Sequence, residues 1–246
     1  MFRLIWVYSS AIFYVLIHLI PIRKRYKHPE QYSINERFKY VKNVCDLIVK
    51  RTGAKVKVEG QENLMPDQPV LYVANHASMI DPYFVGYAAK YPLGAVIAGD
   101  DGYEKIPVLA PWFRSIGSVF VDRTNPREGI KAINEAISNV KKGHSLILFP
   151  EGEITRFIAP GEIVAPFHTG GLRIATKAQV PIIPIVLSGT PSVFNRRSIL
   201  GRIKKGNVQI KILKPYTKHI NETLTQQELA DELRGLILNE LKGLKK

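Results

Sequence analysis

From Lys55 onward the chain alternates short apolar runs rich in β-branched residues with longer stretches whose apolar positions recur every three or four residues. The short runs predict strands at Val56–Glu59, Val70–Ala74, Gly94–Ala98, Ser118–Val121, Ser145–Phe149, Ile182–Leu187 and Val208–Leu213, since such a run bounded by Gly, Pro, Asn or Asp suits a buried pleated surface. Between them, Arg127 to Val140 sets Ile130, Ile133, Ile137 and Val140 on one stripe and stops at Lys141, Lys142 and Gly143. Gln226 to Leu241 forms a last helix with Leu229, Leu233, Leu236 and Ile237 facing inward. Val180 to Ile185 carries Pro181 and Pro184, which suits either the start of a buried strand or an edge strand. Strands alternating with helices define an α/β fold, here a mixed central sheet of about seven strands flanked by helices.

The first 53 residues have a different texture. Leu4 to Ile22 is almost wholly apolar, near the ~20 residues a helical span needs, and is followed by Pro21 and the basic cluster Arg23, Lys24, Arg25 and Lys27 rather than by a small-residue cleavage site. Ser33 to Arg51 has a helical period, with Phe38, Val41, Cys45 and Ile48 on one side, and Gly53 would end it. An apolar helix followed by a basic amphipathic one predicts a two-helix membrane-attachment segment over residues 1–53, ahead of an α/β domain over 54–246. The plainer alternative is a pair of helices packed on that domain.

Charge and cysteine usage narrow the partners. With 35 Lys plus Arg against 21 Asp plus Glu, the net charge of +14 calls for an anionic partner: nucleic acid, an acidic membrane surface or a phosphorylated substrate. The clearest basic cluster flanks an apolar segment, and no zinc, recognition-helix or base-stacking motif accompanies it, so nucleic acid is not expected. The single cysteine, Cys45, excludes an intrachain disulfide and a Cys-based metal cluster and fits a reducing compartment.

Candidate chemistry begins where the run Val70–Ala74 ends. Asn75, His76, Ala77, Ser78, Met79, Ile80 and Asp81 put an imidazole and a carboxylate five positions apart. On one helix those positions lie roughly 140° apart, so the two side chains meet only across a bend. An imidazole takes a proton at neutral pH, and a carboxylate on its second nitrogen fixes the tautomer and stabilises the imidazolium. Asp81 directly before Pro82 also fits a helix N-cap. Downstream, Gly117, Phe120 and Arg123 form a block in which a strand ends on an arginine suited to a phosphate. Phe149, Pro150, Glu151 and Gly152 follow another apolar run, with Glu151 placed to bind a substrate hydroxyl or to orient Arg123. The histidines His76, His144 and His168 lack a paired-ligand spacing, so no metal is expected.

Together and in this order, the four blocks, His76 with Asp81, Gly117 with Phe120 and Arg123, Phe149 to Gly152, and Val180 to Pro184, resemble the glycerophospholipid acyltransferase family, in particular the 1-acylglycerol-3-phosphate acyltransferases. The resemblance implies transfer of an acyl group from an acyl-CoA or acyl-acyl carrier protein thioester to the sn-2 hydroxyl of lysophosphatidic acid, giving phosphatidic acid. It implies no cofactor. His76 and Asp81 would then be catalytic, and Lys105, Gly117, Phe120, Arg123, Glu151 and Gly152 would bind substrate. Glycerol-3-phosphate or another lysophospholipid stays open as acceptor, and so does a non-catalytic membrane-binding role. An anionic membrane surface is the expected partner, with the protein at the cell membrane and its catalytic domain on the cytoplasmic face. Two departures stand out: Glu153 to Arg156 displaces the arginine that relatives often carry just after this glycine, and Phe167-His168-Thr169-Gly170 has histidine where many carry lysine.

Overall fold

The computed structural model describes residues 2–98, 103–152, 154, 163–195 and 202–244. The helices are α1 (Phe2–Ile17), α2 (Leu19–Lys27), α3 (Ile34–Thr52), α4 (Asp81–Ala88), α5 (Leu109–Ser115), α6 (Pro126–Lys141), α7 (Arg173–Ala178), α8 (Thr190–Val193), α9 (Lys218–Asn221) and α10 (Gln226–Leu244). The strands are β1 (Lys55–Glu59), β2 (Leu71–Ala74), β3 (Gly94–Ala98), β4 (Val119–Val121), β5 (Leu146–Leu148), β6 (Ile182–Ser188), β7 (Phe194–Asn195), β8 (Arg202–Ile203) and β9 (Asn207–Ile212). Seven of them form one mixed sheet in the order β1-β9-β6-β2-β5-β3-β4. Strands β6, β2, β5, β3 and β4 run parallel, whereas β1 and β9 run the other way and join at the antiparallel β6–β9 pair. All seven predicted strands occur; the short β7–β8 ribbon was not predicted.

Helices cover both faces. On one, Leu71, Val73, Leu146, Leu148, Ile182 and Val186 pack with Ala136 and Val140 of α6, Ile174 of α7, and Leu229, Leu233 and Ile237 of α10. On the other, Tyr72, Ala74, Ile147, Ile183, Ile185 and Ile210 pack with Phe84 of α4 and with Val7, Ile22, Phe38, Val41, Cys45 and Ile48 of α1 to α3. Helices α1 to α3 therefore share a core with the domain they precede. Two expected core positions are corrected: Ile130 and Leu236 are 58% and 43% exposed. In α6 the buried line runs through Ala132, Ala136 and Val140, because small residues let the helix approach the sheet. Pro184 lies in β6, an interior strand. Its missing N–H falls where the neighbouring chain leaves β9, and its carbonyl still accepts the Leu213 N–H at 2.9 Å.

The N-terminal apolar run is not one helix. It breaks at His18 into α1 and α2, bent by 65°, and among the described residues no single helix is long and apolar enough to cross a membrane, although this bent pair passes by length and composition. At the break the His18 ring bonds the Tyr14 carbonyl (2.9 Å) and lies against the Tyr14 and Tyr40 rings. Helix α3 opens on a reciprocal capping box between Ser33 and Glu36 and closes on Gly53 at φ +70°, the left-handed geometry that favours glycine.

Candidate active site

Strands β2, β5, β3 and β4 are parallel, so their carboxyl ends lie along one edge of the sheet. The segment after β2 carries His76, the segment after β5 carries Glu151, and the segment after β4 carries Arg123. Ligands commonly bind beyond the carboxyl ends of strands in open α/β sheets.

The loop after β2 is held by side chains that stand in for backbone. Asn75, 1% exposed, continues the sheet past the last residue of β2: its amide donates to the Leu187 carbonyl (3.0 Å) and accepts the Leu187 N–H (2.8 Å). The Ser78 hydroxyl donates to the Phe194 carbonyl at 2.6 Å. Between these anchors the chain bends, which brings residues five apart into contact. His76 Nδ1 lies 3.0 Å from Asp81 Oδ2, and that oxygen also accepts the N–H groups of Ala77 and Ser78 at 2.7 Å each. Asp81 is fully buried and is the first residue of α4. It is not the N-cap expected of it: Ile80 holds that place, and the carboxylate turns back to amides that precede the helix. Nδ1–H donated to a carboxylate leaves the imidazole lone pair on Nε2. The ring lies 4.5 Å from that of Phe149, tilted by 33°, and the side chain is 16% exposed.

Glu151 is 2% exposed and clamps the backbone around His76. Oε1 accepts the His76 N–H at 2.6 Å and Oε2 accepts the Ala165 N–H at 2.8 Å. Gly152 follows at φ +73°, and a Cβ there would meet the His168 ring at 2.8 Å. Its carbonyl accepts from the exposed guanidinium of Arg123, so two of the predicted blocks are directly bonded.

Of the other predicted site residues, Lys105 is exposed in a single 3₁₀ turn, Tyr103–Lys105, whose Glu104 pairs with Arg114 of α5. Gly117 and Phe120 make none of these contacts. Gly117 precedes β4 and so lies at the opposite, amino edge of the sheet, about 20 Å from Arg123 at ~3.3 Å per residue. Its φ of +87° and its contact with the His144 ring, which a Cβ would meet at 2.7 Å, explain why glycine stands there. Phe120 is buried in β4 with the Arg114 guanidinium 5.2 Å above its ring, a packing contact. The displaced Arg156 lies outside the described residues.

The sequence profile of the acyltransferase family matches residues 55–188, more than half of the chain and all four motif blocks. The chain belongs to the acyltransferase family. Among curated members it is 32% identical over 197 residues to a 1-acyl-sn-glycerol-3-phosphate acyltransferase of Saccharomyces cerevisiae, covering 78% of this chain and 61% of that protein. It is 30% identical over 170 residues to one from Limnanthes douglasii, covering 69% and 57%. The chain thus spans less than two thirds of the length of these relatives. The crystal structure of the 1-acyl-sn-glycerophosphate (LPA) acyltransferase PlsC from Thermotoga maritima superposes at a TM-score of 0.80 and 24% identity, over 99% of this chain and 96% of that one. The two share one fold across the whole acyltransferase chain, including the N-terminal helices.

Asn75, Ser78 and Phe149 were not foreseen as site residues. Asn75 had a signal, an amide at the end of an apolar run beside a histidine. Phe149 stood in the Phe149–Gly152 block without a role, and the partner of Ser78, the Phe194 carbonyl, lies far along the chain and had no signal.

Proposed function

We propose that this acyltransferase moves a fatty acyl group from an acyl thioester to the sn-2 hydroxyl of lysophosphatidic acid, forming phosphatidic acid. The observation that carries the proposal is the bond from His76 Nδ1 to the fully buried Asp81 carboxylate, on a loop whose amides hold that carboxylate in place. Nε2 takes the proton of the acceptor hydroxyl as its oxygen attacks the thioester carbonyl. The tetrahedral intermediate then breaks its C–S bond, and the leaving thiolate receives the proton from the imidazolium. Asp81 orients the ring and stabilises the imidazolium, a contribution of ~10²–10⁴ in rate for general base catalysis. No covalent enzyme intermediate is needed, and Cys45 is buried with its thiol pushed up to about 12 by burial.

Arg123 and Lys105 take the acceptor phosphate in this reading, and Gly152 presents Arg123 through its carbonyl. Glu151 is assigned a positioning role, because both of its oxygens already hold backbone. The amides of His76, Ala77 and Ser78 are similarly engaged, so the oxyanion draws on other donors. The donor carrier is coenzyme A or acyl carrier protein.

The same reading places the protein on an anionic bilayer, with the catalytic domain on the cytoplasmic face. Phe2, Ile5, Trp6, Ile12, Phe13, Leu16, Ile17 and Ile20 are each more than half exposed, and Arg23, Lys24 and Lys27 beside them are exposed as well. Acyl chains cost ~0.8 kcal/mol per CH₂ to bring into water, so lateral entry from a bilayer removes an extraction cost. The test offers purified protein in detergent an acyl thioester with lysophosphatidic acid, glycerol-3-phosphate and lysophosphatidylcholine in parallel. Phosphatidic acid as the main product is expected, and a dominant product from another acceptor would reject the assignment.

A further inference from the structure

Between Glu162 and Glu222 the sequence contains no Asp or Glu, and the β7–β8 ribbon lies inside that stretch. Its inner residues Phe194 and Ile203 are buried in the same cluster as Val7 and Ala11, so the ribbon packs beside α1. Arg202, Lys204 and Lys205 are exposed and form no ion pair among the described residues. The Lys205 stem crosses the end of α3, where a Cβ on Gly53 would lie 3.3 Å from it. The neighbouring elements add no opposing charge. Helix α1 contributes Arg3 and no acid, the last turn of α3 contributes Lys50 and Arg51, with Arg51 stacked 4.4 Å over Trp6, and Asp46 is held by Lys42. The ribbon is also tied to the site. The Ser78 hydroxyl donates to the Phe194 carbonyl, and the Lys204 N–H donates to the Val193 carbonyl at 2.8 Å.

We infer that Arg202, Lys204 and Lys205 form a second contact with anionic lipid headgroups, beside the apolar face of α1 and separate from the basic cluster within α2. This rests on the bilayer attachment proposed above. Two separate basic contacts fix an orientation, where one would leave the domain free to pivot. Through the Ser78–Phe194 bond, the ribbon then sets how the His76 loop meets the lipid surface. Charge complementarity selects an acidic bilayer over a neutral one, and the adjoining exposed apolar side chains favour it over a soluble polyanion. A Lys or Arg near an acidic surface strengthens partition by about fivefold, so three contribute roughly 100-fold at low salt, falling as salt screens them.

The test measures co-sedimentation of the full chain with phosphatidylcholine vesicles and with vesicles one third phosphatidylglycerol, for the unaltered protein and for R202E/K204E/K205E. The variant is expected to lose more than about 100-fold of the preference for anionic vesicles, because it reverses the three charges, while binding neutral vesicles and turning over detergent-dispersed substrate like the unaltered protein. R202Q/K204Q/K205Q, which only removes them, should lose about 100-fold, and serves alone if the glutamate variant fails to fold. Should the unaltered protein bind neither vesicle, bilayer attachment itself fails. A triple variant that keeps the preference overturns the ribbon contact alone. Unchanged partition with a raised KM for a thioester on an acidic carrier protein overturns it in favour of a protein partner.

Discussion

The loop from Asn75 to Asp81 and the helix pair α1–α2 use opposite physical arrangements. In the loop, Asn75, Ser78 and Asp81 are buried polar residues, and the amides of His76, Ala77 and Ser78 all donate to carboxylates. In the helix pair eight large apolar side chains face outward, while Val7, Ala11 and Ile22 reach the core. A loop pinned by buried polar side chains holds an imidazole at one angle, as proton transfer requires. An exposed apolar face gains only from a partner of its own kind. In the proposed function, chemistry and location therefore rest on separate residues, and each should fail with the other intact.

The largest effect is expected at the base. His76→Ala should lower acyl transfer by ~10²–10⁴ or more with vesicle binding intact, as steady-state turnover and sedimentation would show; near-normal turnover would remove His76 from its role. Asp81→Asn isolates charge from shape, because one oxygen of Asp81 accepts all three bonds, and an amide oxygen can take its place. Turnover about 10²-fold lower with an unchanged melting temperature is expected. Next comes location. I12S/F13S/L16S/I20S should release the protein from vesicles, since burying one such side chain is worth ~1.5–3 kcal/mol, and should leave turnover on detergent-dispersed substrate unchanged. Loss of that turnover would show the two regions to be coupled.

Smaller effects sharpen the boundary of the loop. Glu151→Gln turns a donor toward one of two N–H groups, so a stability loss of ~1–3 kcal/mol is expected by urea denaturation, with reduced kcat and little change in KM. A change confined to KM would return Glu151 to the substrate. The smallest effect lies far from the loop. Burial, with Arg37 and Lys142 nearby, holds His144 below its ordinary 6.5, and burial does the same for His219. The unfolded chain therefore binds protons that the folded one excludes. Stability is full above about pH 6.5 and falls as the pH drops below it. Urea midpoints compared at pH 7.5 and 5.5 should show that slope, and H144Q/H219Q should flatten it.

The chain's own pattern determined the class of fold, its seven main strands, the capped amphipathic helix α3, and the pairing of His76 with Asp81. These rest on local periodicity and on short-range spacing, which any stretch of sequence carries within itself. The four motif blocks were legible too, but not their division of labour. Gly117 and Arg123 belong to the same block, yet they flank β4 and so lie toward opposite edges of the sheet, and Arg123 is the one bonded to Gly152. Glu151 read as a ligand for a substrate hydroxyl or as an orienter of Arg123, and only the fold brought the His76 and Ala165 amides onto its two oxygens. The apolar run at the start looked continuous until packing against α3 broke it at His18. In each case the deciding partner is distant in sequence, and only the folded chain brings it within hydrogen-bonding or van der Waals reach.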